Sequence, residues 1–211
     1  MKYLCLAYGD RAALEALTPT EREALRARLE AHEADLRATG QVVDSRSLEW
    51  AAASIRPRGG APVVTDGPFL ETKEQVGGLV MLEARDLNEA VRVASLHPAA
   101  HLGDDLGCGV EVRPIERPQP LDARAAEAAP ATFLFLAYGQ REPMERLSPD
   151  DLAALGAACQ AHDAALRATG RLVQGFSLTW DALSILRARA GPRAAGARAA
   201  PPRAEAGRPG P

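Results

Sequence analysis

Cysteine is scarce, aromatics are few, basic residues are in no excess, and no long apolar run occurs in the 211 residues. Each shortage excludes something. With 25 Lys and Arg against 28 Asp and Glu the net charge is -3. Phosphate binding needs a basic face, so nucleic acid is not expected as a partner. The charge is also uneven: residues 188–211 carry five Arg and one Glu, leaving the body ahead of them at -7. Cys5, Cys108 and Cys159 are isolated, and without a C-x-x-C spacing neither a disulfide framework nor a zinc knuckle is supported. No segment has the length and apolarity of a membrane span. The N-terminus enters a strand-like segment directly, without the regions of a signal peptide. A reduced, cytoplasmic setting away from membranes is the expectation.

What is present first is an internal repeat. Lys2 to Gly60 aligns without gaps on Thr132 to Ala190, an offset of 130 residues, with 27 identities in 59 pairs. Leu6-Ala7-Tyr8-Gly9 recurs as Leu136-Ala137-Tyr138-Gly139, and Trp50 recurs as Trp180. Such self-similarity is read as duplication. The second copy stops short, since nothing after Leu186 resembles Gly60 to Arg117. Four segments follow: a complete domain at 1–117, a Pro/Ala linker at 118–131, a partial second domain at 132–187 and a tail at 188–211. The tail uses only Ala, Arg, Gly, Pro and Glu, so it has no large apolar side chains to offset the entropy of ordering and is expected to stay disordered. Strings of this kind also arise when GC-rich coding DNA is read out of frame. On this hypothesis a frameshift removed the missing half of the second copy, and another reading frame beyond codon 186 is expected to encode it.

Along the first copy, Tyr3 to Tyr8 reads as a strand with Leu4, Leu6 and Tyr8 on one face and Tyr3, Cys5 and Ala7 on the other. Both faces are apolar, so a second unit or a second chain is expected to cover the outer one. Thr18-Pro19-Thr20-Glu21 is a capping box opening a helix that stops at Gly40. Its stripe holds Leu25, Leu29, Leu36 and His32. Gln41 to Ile55 reads as one or two strands, Val63 to Thr65 as a short one, and Leu79 to Glu83 as another. Asp86-Leu87-Asn88-Glu89 opens a second helix, which ends near His97 because Pro98 follows. Gly109 to Ile115 is the last strand. The order predicts an α+β fold, a ferredoxin-like sandwich with one added hairpin strand.

The densest chemistry is in Asp66-Gly67-Pro68-Phe69-Leu70-Glu71-Thr72-Lys73-Glu74, which holds three carboxylates, one amine and a forced turn. Gly67 permits unusual backbone angles, Pro68 fixes φ, and Phe69 is expected to anchor the turn in a core. Together with Gly77-Gly78, Asp86-Leu87-Asn88-Glu89-Ala90 and Val110-Glu111-Val112-Arg113-Pro114-Ile115, this stretch resembles the YCII-related family, in its DGPF (DGPFAETKE) branch. Leu70 departs from the branch's usual alanine. The resemblance covers 2–117, and 132–186 resembles the front half of another copy. It implies a ferredoxin-like fold pairing as a dimeric α+β barrel, here by self-association or by pairing of the two units within one chain. It implies less about activity. The wider superfamily includes small ring-modifying enzymes, and DGPF domains also occur beside extracytoplasmic-function sigma factors.

Two functions stay open at this point: an acid/base enzyme acting on a small molecule in a barrel cleft, and a non-catalytic ligand-binding or regulatory module associated with such a sigma factor. Asp66 is the candidate general base, with a pKa raised by burial beside Phe69, and His97 completes the pair as the family's proposed site suggests. Tyr8, His32, Phe69, Glu71, Lys73 and Glu74 are candidates for substrate binding. Against this, Asp66 is equally a turn cap, with Glu71, Lys73 and Glu74 a solvated surface. His32 is equally a core histidine and Tyr8 a packing residue. No cofactor is implied. A metal site at His97, His101, Asp104 and Asp105 is not expected, because Pro98 breaks the helix that spaced ligands would need. The second copy lacks the whole Asp66 cluster, so each chain has at most one competent site.

Overall fold

The computed structural model describes residues 1–70, 72–102, 106–116, 132–172, 174–180 and 182–186. Glu71, Asp104, Asp105, the linker and the tail lie outside them.

The first strand, β1 (Lys2–Asp10), becomes the centre of the molecule because both of its faces are apolar. Tyr3, Cys5 and Ala7 enter one cluster with Leu36, Val80, Leu82, Val93, Val110 and Val112, under the helices. Leu4 and Leu6 enter a second cluster with Met81 and Ile115, with Tyr8 packed against it. The alternation expected along this strand is the one found.

Asp10 then caps a short helix that the sequence reading did not include, α1 (Arg11–Glu15), its carboxylate accepting from the N–H groups of Ala12 and Ala13. α2 (Pro19–Ala38) starts on the Thr18–Glu21 capping box and is followed by Gly40 at φ 69°. β2 (Val42–Ser47), β3 (Ala53–Arg58), β4 (Ala61–Asp66) and β5 (Glu74–Glu83) follow. α3 (Leu87–Ala94), capped by Asp86, leads to a single 3₁₀ turn at Pro98–Ala100 and to β6 (Gly109–Pro114).

The main sheet is antiparallel, in the order β2-β5-β1-β6-β7, where β7 is Leu183–Leu186. Its first four strands, with helices on one face, are consistent with a ferredoxin-like sandwich. The expectation of one added hairpin strand is corrected: β3 and β4 form a two-stranded sheet of their own, outside the main one. β5 also begins five residues earlier than expected. Gly77 and Gly78, just ahead of the expected strand, both lie within it. A strand glycine marks close approach, and a Cβ on Gly78 would come within 3.2 Å of the Arg46 carbonyl oxygen.

Beyond the linker, α4 (Arg141–Glu145) and α5 (Pro149–Ala168) begin and end 130 residues after α1 and α2. The remainder does not follow suit. Residues 132–140, which align with β1, form no strand. α5 buries no residue: Leu166 is 53 % exposed, whereas its counterpart Leu36 is 3 % exposed. β7 pairs with β6 rather than with a sheet of its own, and Leu178 bridges to Ile115. Phe176 and Leu178 pack against the Leu4–Leu6–Met81–Ile115 cluster.

Candidate functional site

The Asp66 turn is held by its backbone. Gly67 adopts φ 100°, open to glycine and costly for other residues. Its N–H donates to the Ala52 carbonyl at 2.8 Å, and the buried Ser54 hydroxyl donates to its carbonyl at 2.7 Å. These bonds tie the end of β4 to the start of β3. The Asp66 side chain is exposed and makes no hydrogen bond or ion pair among the described residues. Lys73 and Glu74 are exposed as well.

Phe69 is half-buried, but not in the core where it was expected. The Arg56 guanidinium sits 4.1 Å above its ring and donates to its carbonyl oxygen. The ring stacks on Tyr138 with centroids 4.8 Å apart and planes 5° off parallel. The anchor is therefore an aromatic residue from beyond the linker. Sequence patterning gave no sign of it, because Tyr138 and Phe69 share no element and no spacing.

His97 lies elsewhere. It precedes the 3₁₀ turn, and its Nδ1 accepts from the Ala99 N–H at 3.1 Å. A neutral imidazole that accepts at Nδ1 carries its proton on Nε2. Burial first, and His101 to a lesser degree, push its pKa down to about 4 against the opposing charge of Glu33, so the ring is neutral at pH 7. It lines a recess of about 150 Å³ between the sheet and the helices. Leu14, Leu29, Trp50, Leu102 and Cys108 line it too. Asp66 is absent from that wall, and no hydrogen bond joins it to His97. The structure does not assemble the proposed proton-transfer pair.

Trp50 is the wall the sequence reading undervalued. A Cβ on Gly77 would lie 2.8 Å from its Cη2, and one on Gly9 3.5 Å. Two glycines on adjacent strands thus make the slot in which the indole lies. The signal was present in the repeat, since Gly9 and Trp50 recur together as Gly139 and Trp180. A Cβ on Gly139 would lie 3.3 Å from the Trp180 Cη2. Cys108 is the other missed residue. Burial pushes its thiol up to about 11, and its Sγ donates to the Leu106 carbonyl at 3.3 Å.

Tyr8 is among the residues at the recess, but its ring packs on the opposite face of the sheet. Its hydroxyl donates to Glu111 Oε2 at 2.9 Å, while Arg113 Nε pairs with Glu111 Oε1. Burial and then the Glu111 hydrogen bond push its pKa well above the usual phenol range. His32 stacks on His101, centroids 3.9 Å apart. Among the described residues no group of three or more His, Cys, Asp or Glu is placed to hold a metal ion, and no helix is long and apolar enough to cross a membrane.

The sequence profile of the YCII-related domain matches residues 1–116, and the chain belongs to that family. An uncharacterised protein of Rhizobium meliloti (strain 1021) is 33 % identical over 96 residues, spanning 44 % of this chain and 77 % of the relative.

Proposed function

We propose that this YCII-related protein is a non-catalytic small-molecule-binding module whose site is the recess beneath Trp50, not the Asp66 turn. One observation carries the reading. Among the described residues no carboxylate lines the recess, and its imidazole and thiol titrate far from pH 7, one below and one above it. A proton-transfer site needs a group poised near the working pH. Acid/base chemistry by Asp66 and His97 is the weaker alternative, since it requires the exposed turn to fold over the recess. Native mass spectrometry of the full chain purified from its host tests this. A co-purifying small molecule is expected to survive Asp66→Asn and to be lost on filling the recess with Ala99→Leu. Loss on Asp66→Asn alone would overturn the reading.

The second half of the chain is assigned as a truncated copy of the same DGPF-branch unit that pairs within the chain. Phe176 and Leu178 support this, because they pack on the sheet face that otherwise needs a second chain, while β7 extends the sheet at its β6 edge. Phe176→Asp together with Leu178→Asp is then expected to expose that face and convert a monomer to a self-associating species in sedimentation velocity. A regulatory setting in the cytoplasm, with a sigma factor as partner, is favoured by the β3–β4 hairpin, which exposes Ile55, Val63 and Val64. Ile55→Lys and Val64→Lys are expected to break co-purification of a co-expressed extracytoplasmic-function sigma factor; retention in both variants would remove this setting.

A further inference from the structure

We infer that the recess beneath Trp50 takes a compact, neutral, largely apolar molecule carrying one hydrogen-bond acceptor. The inference rests on the binding reading above and adds the chemistry of the ligand. Size comes first: the recess measures about 150 Å³, and an apolar cavity of roughly that volume admits a benzene-sized guest. Its walls are the leucines at 14, 29 and 102, Pro98 and the indole of Trp50, which suit a ring or a branched alkyl group.

Polar side-chain atoms on the wall are few: Trp50 presents its six-membered ring to Gly77, and the Tyr8 hydroxyl is committed to Glu111. The Cys108 Sγ is already committed to the Leu106 carbonyl, and His97 Nδ1 to the Ala99 N–H. That leaves His97 Nε2–H as the imidazole's remaining donor, matched to a carbonyl, ether or hydroxyl oxygen. Charge settles the rest. Among the described residues no ammonium, guanidinium or carboxylate lines the recess, so an ionised ligand would lose water and gain no counter-charge from them. Glu33, whose field reaches His97, opposes an anion further.

The test uses the full chain with Trp180→Phe, so that emission reports Trp50 alone, titrated at pH 7 with benzyl alcohol, toluene, benzoate and benzylamine. Benzyl alcohol is expected to shift the emission saturably, with Kd of about the millimolar order for so small a probe. Benzoate and benzylammonium are expected to bind at least about tenfold more weakly, the penalty for a charge left unpaired. Ala99→Leu should abolish the shift, and His97→Leu should erase the preference for benzyl alcohol over toluene. Intermolecular NOEs from the probe to Trp50 and Leu29 locate it without the recess variants. Equal or tighter binding of a charged probe with those NOEs overturns the ligand class and leaves the binding reading standing. Absence of saturation by every probe removes both.

Discussion

The indole of Trp50 lies over Gly77 so closely that a β-carbon there would fall 2.8 Å from Cη2 and 3.3 Å from Cζ3. Aromatic edge and bare backbone thus fix each other, and β5 is tied to the β2–β3 connection through a residue that has no side chain.

Gly77→Ala follows directly. The added methyl must displace the ring, and overpacking of this kind costs about 1–3 kcal/mol. Urea denaturation should show that loss, with a red-shifted Trp50 emission. Gly139→Ala is the control, since its methyl would meet Trp180 at 3.3 Å and that ring is 48 % exposed and free to move. Equal costs at the two positions would mean that the slot is not what holds Trp50.

His97 makes stability depend on pH in a defined direction. Its folded pKa, about 4, lies below the ordinary histidine value of 6.5, so between these values the unfolded chain binds the extra proton. Its contribution is complete above about pH 6.5 and is lost as pH falls towards 4, at about 1.4 kcal/mol per pKa unit. Burial is incomplete, so the total is about 2–3 kcal/mol. Glu33 and His101 are the charged neighbours that modulate it. His97→Gln should flatten the profile across that window; an unchanged slope assigns it to other groups.

Tyr8→Phe leaves Glu111 Oε2 without its phenol donor while Arg113 stays in place. Hydrogen bonds to charged groups contribute about 1.5–3 kcal/mol, and a loss of that size is expected. A double-mutant cycle with Glu111→Gln should return a coupling of about 1 kcal/mol or more. Additivity would show that the pair does not act together.

Asp66→Asn and Phe69→Ala separate the two ends of the motif. The first changes an exposed carboxylate and should move stability by less than about 0.5 kcal/mol. The second removes both the Arg56 contact and the Tyr138 stack, each worth about 0.5–1.5 kcal/mol. Thermal melts that rank the two in the reverse order would refute the turn's assignment as a structural clasp.

The fold was legible where local physics decides it. Thr18 with Glu21, Asp86 with Glu89, and the two apolar faces of β1 each fix an element within a few residues, and all are found. The site was less legible because its walls are assembled across elements. Trp50 sits in a connection, Gly77 in a strand and His97 before a turn, and no shared period links them. Charge drew attention to Asp66, but charge density near a Gly-Pro turn reports solvation as readily as chemistry. The glycine–tryptophan pairs at 9/50 and 139/180 were the better guide, because a bare strand position opposite a large ring requires contact.

The central place of β1 has a consequence for synthesis. This strand is made before either of its partners, which end at Glu83 and Pro114. A nascent chain must therefore carry a largely apolar strand with one edge unpaired until more than a hundred residues have been made. Chaperone dependence and sensitivity to translation speed are concentrated in that interval. Slowing elongation after codon 114 should matter far less to yield than slowing it before.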